Sequence, residues 1–308
     1  MIIRLKLLKI SLMFLTIFCL EVMSKESLCD ANIQIQILGS GGPELSDNRA
    51  SSSYLVWINN QASILIDTGG GTALRFGQSK ALWSNLHAVL FTHFHADHSS
   101  DFPALLKASW FGNRTTDLPI IGPYGNHTMP STLEFISALY DKNNGAFKYL
   151  SDMVDTEQKS AYKIVARNLK DNEETQLIYQ KDNMIVYAHQ VKHGPIPAFA
   201  YIIKSCGKTI VFSGDTNGSG FETLKLARTN MFIAHNAIPE NAGNTAKSLH
   251  MTPSQINHIA KHLNTKSLIL SHRMNRTLGN ESETLKFIKN QHFDKIVFAN
   301  DLDIFTVN

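Results

Sequence analysis

The chain has 308 residues, of which 43% are hydrophobic and 18% charged, and its net charge is +3. That is the makeup of an ordinary water-soluble globular chain, and it excludes a disordered polyelectrolyte or a low-complexity fibre. It also lacks the basic excess with which a protein grips a polyanion, so nucleic acid is an unlikely partner on charge alone. At the N-terminus, Arg4, Lys6 and Lys9 precede an apolar run from Ile10 to Leu20, and Val22-Met23-Ser24 follows with small residues near a cleavage point. The pattern predicts a signal peptide over residues 1–24 and export to the periplasm or the medium, with an uncleaved anchor as the alternative. Three basic residues and Glu21 leave with that segment, so the charge falls from +3 to +1. No later run is long enough to span a bilayer, so no membrane span is expected in the mature chain. Of the three cysteines, Cys19 lies in the leader, while Cys29 and Cys206 remain, either free or paired in an oxidising compartment.

Apolar alternation predicts strands at Ile33–Leu38, Ser52–Ile58, Ser63–Asp67 and His87–Thr92, with helices at Thr72–Leu82 and Phe102–Trp110. Ser99-Ser100-Asp101 is a helix start in front of Phe102. The stretch 125–183 mixes aromatics with charges and reads as a helical insert overhanging a site, or as a surface elaboration. Further strands follow at Met184–His189, Phe199–Ile203, Thr209–Ser213, Met231–Ala234, Ser267–Leu270 and Lys295–Phe298. Late helices are expected at Pro253–His262 and Glu283–Lys289. The first opens on Thr252-Pro253-Ser254-Gln255, a capping box with proline at the first helical position. The order implies a single α/β domain over 32–308, a four-layer αβ/βα sandwich.

Between the fourth strand and its helix stand His93, His95, Asp97 and His98. Three imidazoles and a carboxylate in a loop at a strand's carboxyl end suit zinc, or another borderline divalent metal such as iron or manganese. His193, Asp215 and His272 lie at or near the ends of later apolar runs, where strands of one sheet bring their chemistry to one edge. His189 has the strand parity of His193 and is the alternative to it as a ligand. His258 and His262 are spaced i, i+4 but lie off the apolar stripe of their helix and read as solvated.

The chain resembles the metallo-β-lactamase superfamily, and within it the ribonuclease Z-like branch. The resemblance rests on His93–His98 together with Ile37-Leu38-Gly39-Ser40-Gly41-Gly42-Pro43, Ile64-Leu65-Ile66-Asp67-Thr68-Gly69, Ile120-Ile121-Gly122-Pro123 and the closing segment from Phe298 to Phe305. It implies two metal sites: His93, His95 and His193 for the first ion, Asp97, His98 and His272 for the second, and Asp215 as the bridge. It implies two divalent ions, zinc first, with Mn2+ or Fe2+ as alternatives, and a bridging hydroxide as nucleophile. Asp215 argues against the β-lactam-cleaving members, and His95 against the oxygen-reducing diiron branch. Asp97 and His250 are the residues the resemblance assigns to catalysis. His250, in Leu249-His250-Met251-Thr252, is similar to the histidine that assists the leaving group in ribonuclease Z.

The chain departs from that pattern twice. The histidine's usual glutamate partner lies in a His-Glu-Ala segment, where this chain has His235-Asn236-Ala237; asparagine can orient an imidazole but cannot act as a carboxylate base. Between His193 and Asp215 there is room only for a short hairpin turning near Cys206-Gly207-Lys208, with no long RNA-gripping arm. The expected activity is binuclear hydrolysis of a small-molecule phosphodiester or similar anionic ester. A lactonase or arylsulfatase-like esterase is the alternative, and a metal-binding module without turnover is the reading from another class. A homodimer is compatible with the sequence.

Overall fold

The computed structural model describes Cys29, residues 31–288 and residues 292–308. The expected leader, 1–24, lies outside the described residues. Fourteen strands are described. In the first sheet, β1 (Ile33–Gly39), β2 (Ser53–Ile58) and β3 (Gln61–Ile66) form an antiparallel meander. The strands β4 (Ala88–Leu90), β5 (Leu118–Gly122) and β6 (Ile164–Asn168) then continue it in parallel. The second sheet pairs β7 (Gln176–Lys181), β8 (Met184–His193), β9 (Ile196–Ser205) and β10 (Lys208–Phe212) antiparallel. It continues in parallel through β11 (Thr229–His235), β12 (Thr265–Ser271) and β13 (Lys295–Phe298). The last strand, β14 (Ile304–Thr306), crosses back to pair with β1. The sheet orders are β14-β1-β2-β3-β4-β5-β6 and β13-β12-β11-β10-β9-β8-β7.

The central strands are buried on both faces, which is why their sequences read as nearly continuous apolar runs. One face of the first sheet takes Phe76 of α1 (Thr72–Gln78), Phe102, Leu105 and Leu106 of α3 (Phe102–Ser109), and Ile136 and Tyr140 of α4 (Thr132–Tyr140). The second sheet packs Val211, Phe232, Leu268 and Leu270 against Ile256, Ile259 and Ala260 of α5 (Pro253–His262). The sheets meet face to face, with the Tyr54 and Phe212 rings 5.7 Å apart and the Tyr201 hydroxyl donating to the Phe91 carbonyl at 2.6 Å. The expected four-layer αβ/βα sandwich is the observed fold.

The capping box forms as the sequence predicts: Thr252 accepts from the Gln255 amide, and the Gln255 side chain accepts from the Thr252 amide. The β9–β10 hairpin turns at Cys206 and Gly207, both with positive φ (49° and 71°). The stretch 125–183 contains α4, but it also supplies β6 and β7, an edge strand for each sheet, so it is built into the fold rather than laid over it. Asp101 caps α3 without a side-chain bond to it; its carboxylate accepts from the Ala73 amide instead.

Tyr201→Phe tests the join between the sheets. It leaves the Phe91 carbonyl without this donor and should cost roughly 1–3 kcal/mol, read as a lower urea midpoint with an unchanged m-value.

Candidate metal centre

The carboxyl ends of β3, β4, β8, β10, β11 and β12 converge on one rim, where open α/β sheets place their chemistry. Short β4 releases the chain at Phe91, and His95 caps the one-turn α2 (Ala96–Ser99). The turn is held tightly from below. The Thr68 amide donates to the His98 carbonyl at 2.7 Å, and Gly69 approaches so closely that a Cβ there would lie 2.1 Å from the Asp97 carbonyl oxygen. Two of the rim residues, Asp67 and His272, adopt left-handed backbone (φ 56° and 50°), a conformation uncommon outside glycine and concentrated at functional sites.

The rim gathers all seven residues that the resemblance assigned to metal. His95 Nδ1 lies 3.0 Å from His93 Nε2 and 3.3 Å from His193 Nε2. His272 Nε2 lies 3.3 Å from Asp97 Oδ2, and His98 Nε2 lies 3.6 Å from the same oxygen. Asp215 stands between the two groups. Its Oδ2 is 3.9 Å from His93 Nε2, 3.7 Å from His193 Nε2 and 3.7 Å from His98 Nε2, while its Oδ1 is 3.2 Å from His272 Nε2.

This donor set fits a cation. His95 Nδ1 faces two imidazole nitrogens but carries only one in-plane lone pair or one proton, so it cannot form a full hydrogen bond with both. His98 Nε2 and His272 Nε2 are buried and make no hydrogen bond, although carboxylate oxygens lie within ion-pair distance. Two groups of side chains present ligand atoms within 4.8 Å of one another: His93, His95, His193 and Asp215, and His98, Asp215, His235 and His272. Imidazole and carboxylate together suit zinc and its borderline neighbours.

The far sides of His93, His98 and His193 are anchored, as ligating histidines require, His93 Nδ1 lying 3.1 Å from the Thr92 hydroxyl, while His272 Nδ1 is buried without a partner. Asp67 accepts from His98 Nδ1 at 2.8 Å and is itself held by the Thr92 amide and hydroxyl at 2.7 and 2.8 Å. His193 Nδ1 donates to the Leu249 carbonyl at 2.7 Å. Sequence reasoning placed Asp67 in the family's turn but gave it no part in the site, and it missed His235 as well. The His235 ring is spent on both sides, with Nδ1 2.7 Å from Asp215 Oδ1 and Nε2 2.8 Å from the Tyr54 hydroxyl. It therefore aims the carboxylate rather than competing for an ion. It closes the apolar strand β11, the same signal that marked His272 at the end of β12.

Other sequence expectations resolve differently. His189 hydrogen-bonds to Thr175 and to the Gly220 carbonyl, away from the rim. His258 and His262 are exposed, as the solvated reading has them, and His262 donates to the Leu224 carbonyl. His250 does join the site, its Nδ1 3.7 Å from Asp215 Oδ2. The Asn236–His250 hydrogen bond that could replace the family's dyad is not formed: His250 Nδ1 and both side-chain polar atoms of Asn236 are without partners.

Electrostatics divides the imidazoles. Burial pushes His93, His95 and His193 below the usual range, and it carries His250 down to about 4. At His98, burial is outweighed by the carboxylates of Asp97, Asp67 and Asp215, which hold the ring well above its usual range. At His272 burial is likewise overcome, chiefly by Asp215, and the pKa rises to about 9. Burial would raise Asp97 and Asp215, but His98 and His272 hold them below the ordinary carboxylate range.

Comparison with known proteins agrees with this geometry. The sequence pattern of the metallo-beta-lactamase superfamily matches residues 46–251. A ribonuclease Z from Methanosarcina acetivorans is 25% identical over 298 residues, covering 88% of this chain and 96% of its own. A ribonuclease Z from Picrophilus torridus is 29% identical over 277 residues, covering 80% and 87%. Among solved structures, the metallo-beta-lactamase fold protein YhfI from Bacillus subtilis superposes with a TM-score of 0.68 at 19% identity, covering 90% of this chain and 99% of that one. The short form of human tRNase Z gives 0.68 at 20% identity, covering 89% and 99%. Fold and site define a metal-dependent hydrolase. The chain belongs to the metallo-beta-lactamase superfamily, and within it to the ribonuclease Z-like branch.

One expectation is overturned. Nucleic acid was judged an unlikely partner, yet the relatives matching most of the chain are named Ribonuclease Z. Net charge misled here because it sums the whole surface, whereas a phosphate at a metal rim meets only the local field.

The charge division has a measurable consequence. His272, with a folded pKa of about 9 against an ordinary 6.5, carries a proton at pH 8 in metal-free protein. That proton stabilises the metal-free fold fully below about pH 6.5 and ceases to do so as pH rises through about 9. Metal binding through Nε2 requires the neutral ring. Zinc titration at pH 8 in buffers of different ionisation enthalpy should therefore show at least one proton released per chain. Buffer-independent heats would remove His272 from the ligand set.

Proposed function

We propose that the chain is a binuclear phosphodiester hydrolase with RNA as its substrate class. The observation that carries this reading is Asp215, buried between two groups of imidazoles with its carboxylate within 3.9 Å of a ring nitrogen on each side. His93, His95 and His193 would hold one divalent ion, Asp97, His98 and His272 the other, and Asp215 both, with zinc the ion that the donor set suits best. Such ions, when bound, lower the pKa of water toward 7 and stabilise charge on a phosphoryl centre. The names of the relatives support RNA as the substrate class.

The protein's own groups supply the rest. Asp67 fixes His98 with Nε2 free, and His235 fixes the plane of Asp215 through Oδ1. His250, neutral above about pH 4 and with Nδ1 unpartnered, can donate a hydrogen bond to the departing oxygen without a carboxylate behind it. Export remains part of this reading. The basic–apolar start of the chain supports it, and so do Cys29 and Cys206, both disulfide-bonded, a state that persists in oxidising compartments.

Undialysed protein should contain two divalent ions per chain and should cleave both bis(4-nitrophenyl) phosphate and a structured RNA with a 3′ extension. A single ion, or activity on lactones or sulfate esters alone, would overturn the reading. Asp215→Ala should abolish activity and lower metal content. His250→Ala should slow turnover on RNA by about 10²–10⁴ while metal content stays at two, with a smaller loss on nitrophenyl esters, whose leaving group needs little help. N-terminal sequencing of secreted protein should begin after residue 24; protein that starts at Met1 and stays in the cytosol would refute export.

A further inference from the structure

A trough of about 580 Å³ runs along the outer side of the metal loop. Its lining includes Phe94 and Ala96, which flank His95 in the chain, together with Lys107, Phe135, Phe147 and Tyr149. The trough and the metal rim are thus two sides of the same three residues, with neighbouring Cα atoms about 3.8 Å apart. Phe94 and Phe135 are stacked, with centroids 4.5 Å apart and planes 23° apart. Trp110 meets Tyr149 edge-on at 6.3 Å, and both rings are largely in solvent, 43% and 57% exposed.

The ammonium of Lys107 lies 3.6 Å above the Trp110 ring and 5.5 Å from that of Tyr149. Among the described residues no carboxylate lies within 4 Å of it, so the aromatic rings are its partners. Aromatic faces beside an uncompensated cation are the two components with which proteins hold single-stranded nucleic acid: bases stack, and the backbone meets the charge. An apolar protein surface would suit the trough less well, since it would bury the Lys107 charge unpaired.

We propose that this trough is a stacking site for an unpaired nucleobase next to the phosphodiester at the metal rim, with the exposed Tyr149 ring as the platform, the Phe94–Phe135 pair as the packed floor beneath the site and Lys107 as the contact for the adjoining phosphate. The proposal rests on the phosphodiesterase reading and names the substrate feature that site selects. Tyr149 is reached through the chain that follows α4, so the stretch 125–183 sets substrate preference through this ring.

The test compares thymidine 5′-(4-nitrophenyl phosphate) with methyl 4-nitrophenyl phosphate. The two share a reacting phosphate and a leaving group, so the ratio of their kcat/KM values isolates the base. Tyr149→Ala and Lys107→Ala should each lower that ratio about fivefold or more, mainly through KM for the nucleotide ester. Octauridylate in EDTA should quench tryptophan fluorescence in the wild type, and quenching should weaken in both variants. Circular dichroism melts confirm that the variants fold. Unchanged ratios with unchanged quenching would overturn the proposal. So would sedimentation showing a dimer that Tyr149→Ala dissociates while the ratio holds, since the trough would then be a face for a second copy. If the wild type hydrolyses neither ester, the phosphodiesterase reading fails, and the quenching experiment still decides the trough by itself.

Discussion

Asp215 is a carboxylate at 2% exposure with six imidazoles within 4 Å of it. Burying such a group is costly unless charge or hydrogen bonds answer it, and much of the rim can be understood as that answer. Two of the six, His98 and His272, are held charged by the carboxylates around them; the other four shifted rings are pushed toward neutrality by burial. The metal-free centre therefore balances three acidic groups, Asp67, Asp97 and Asp215, with protons on two rings. Divalent ions would take over that role with more charge in the same space, and the protons would leave.

The scaffold can hold this arrangement because most contributors lie at strand ends, while Asp97 and His98 ride on the one-turn α2 that follows β4. The parallel segments β3-β4-β5 and β10-β11-β12 deliver Asp67, His93, Asp215, His235 and His272 to one edge without long loops. What remains is backbone that must turn sharply. The left-handed Asp67 and His272, and the contact of Gly69 with the Asp97 carbonyl, are the local costs of pointing side chains inward rather than along the sheet. A residue larger than glycine at position 69 would push the metal loop itself.

Legibility in the sequence followed the range of the interaction. His93, His95, Asp97 and His98 are contiguous, and His193, Asp215 and His272 each lie at or near the end of an apolar run, so periodicity alone marked them. The capping box at Thr252 was equally local. Asp67, Tyr54 and His235 were not visible as site residues, because what makes them so is a contact with a partner between 20 and 181 residues away. The edge strands β6 and β7 were hidden for a different reason. An edge strand buries little, so its pattern is polar and mixed, as Arg167 and Asn168 or Gln180 and Lys181 show. The nucleic-acid expectation failed because a whole-chain charge sum does not see the local field at a metal rim, while the relatives that match most of the chain are named Ribonuclease Z.

The missing glutamate beside His250 fits the same electrostatics. A carboxylate at position 236 would add another buried negative group to the cluster around Asp215 and would draw His250 back toward the charged form. Asparagine leaves the ring governed by burial, with a pKa near 4 and a single proton to share. The ring can then polarise a departing oxygen but holds no second proton to transfer near neutral pH, so proton delivery to a poor leaving group must come from solvent. The consequence is kinetic rather than structural: the rim is best matched to substrates whose leaving oxygen is already a stable anion, or whose binding elsewhere on the protein compensates for slower departure. A stacking site beside His95 is one place where such binding can be made.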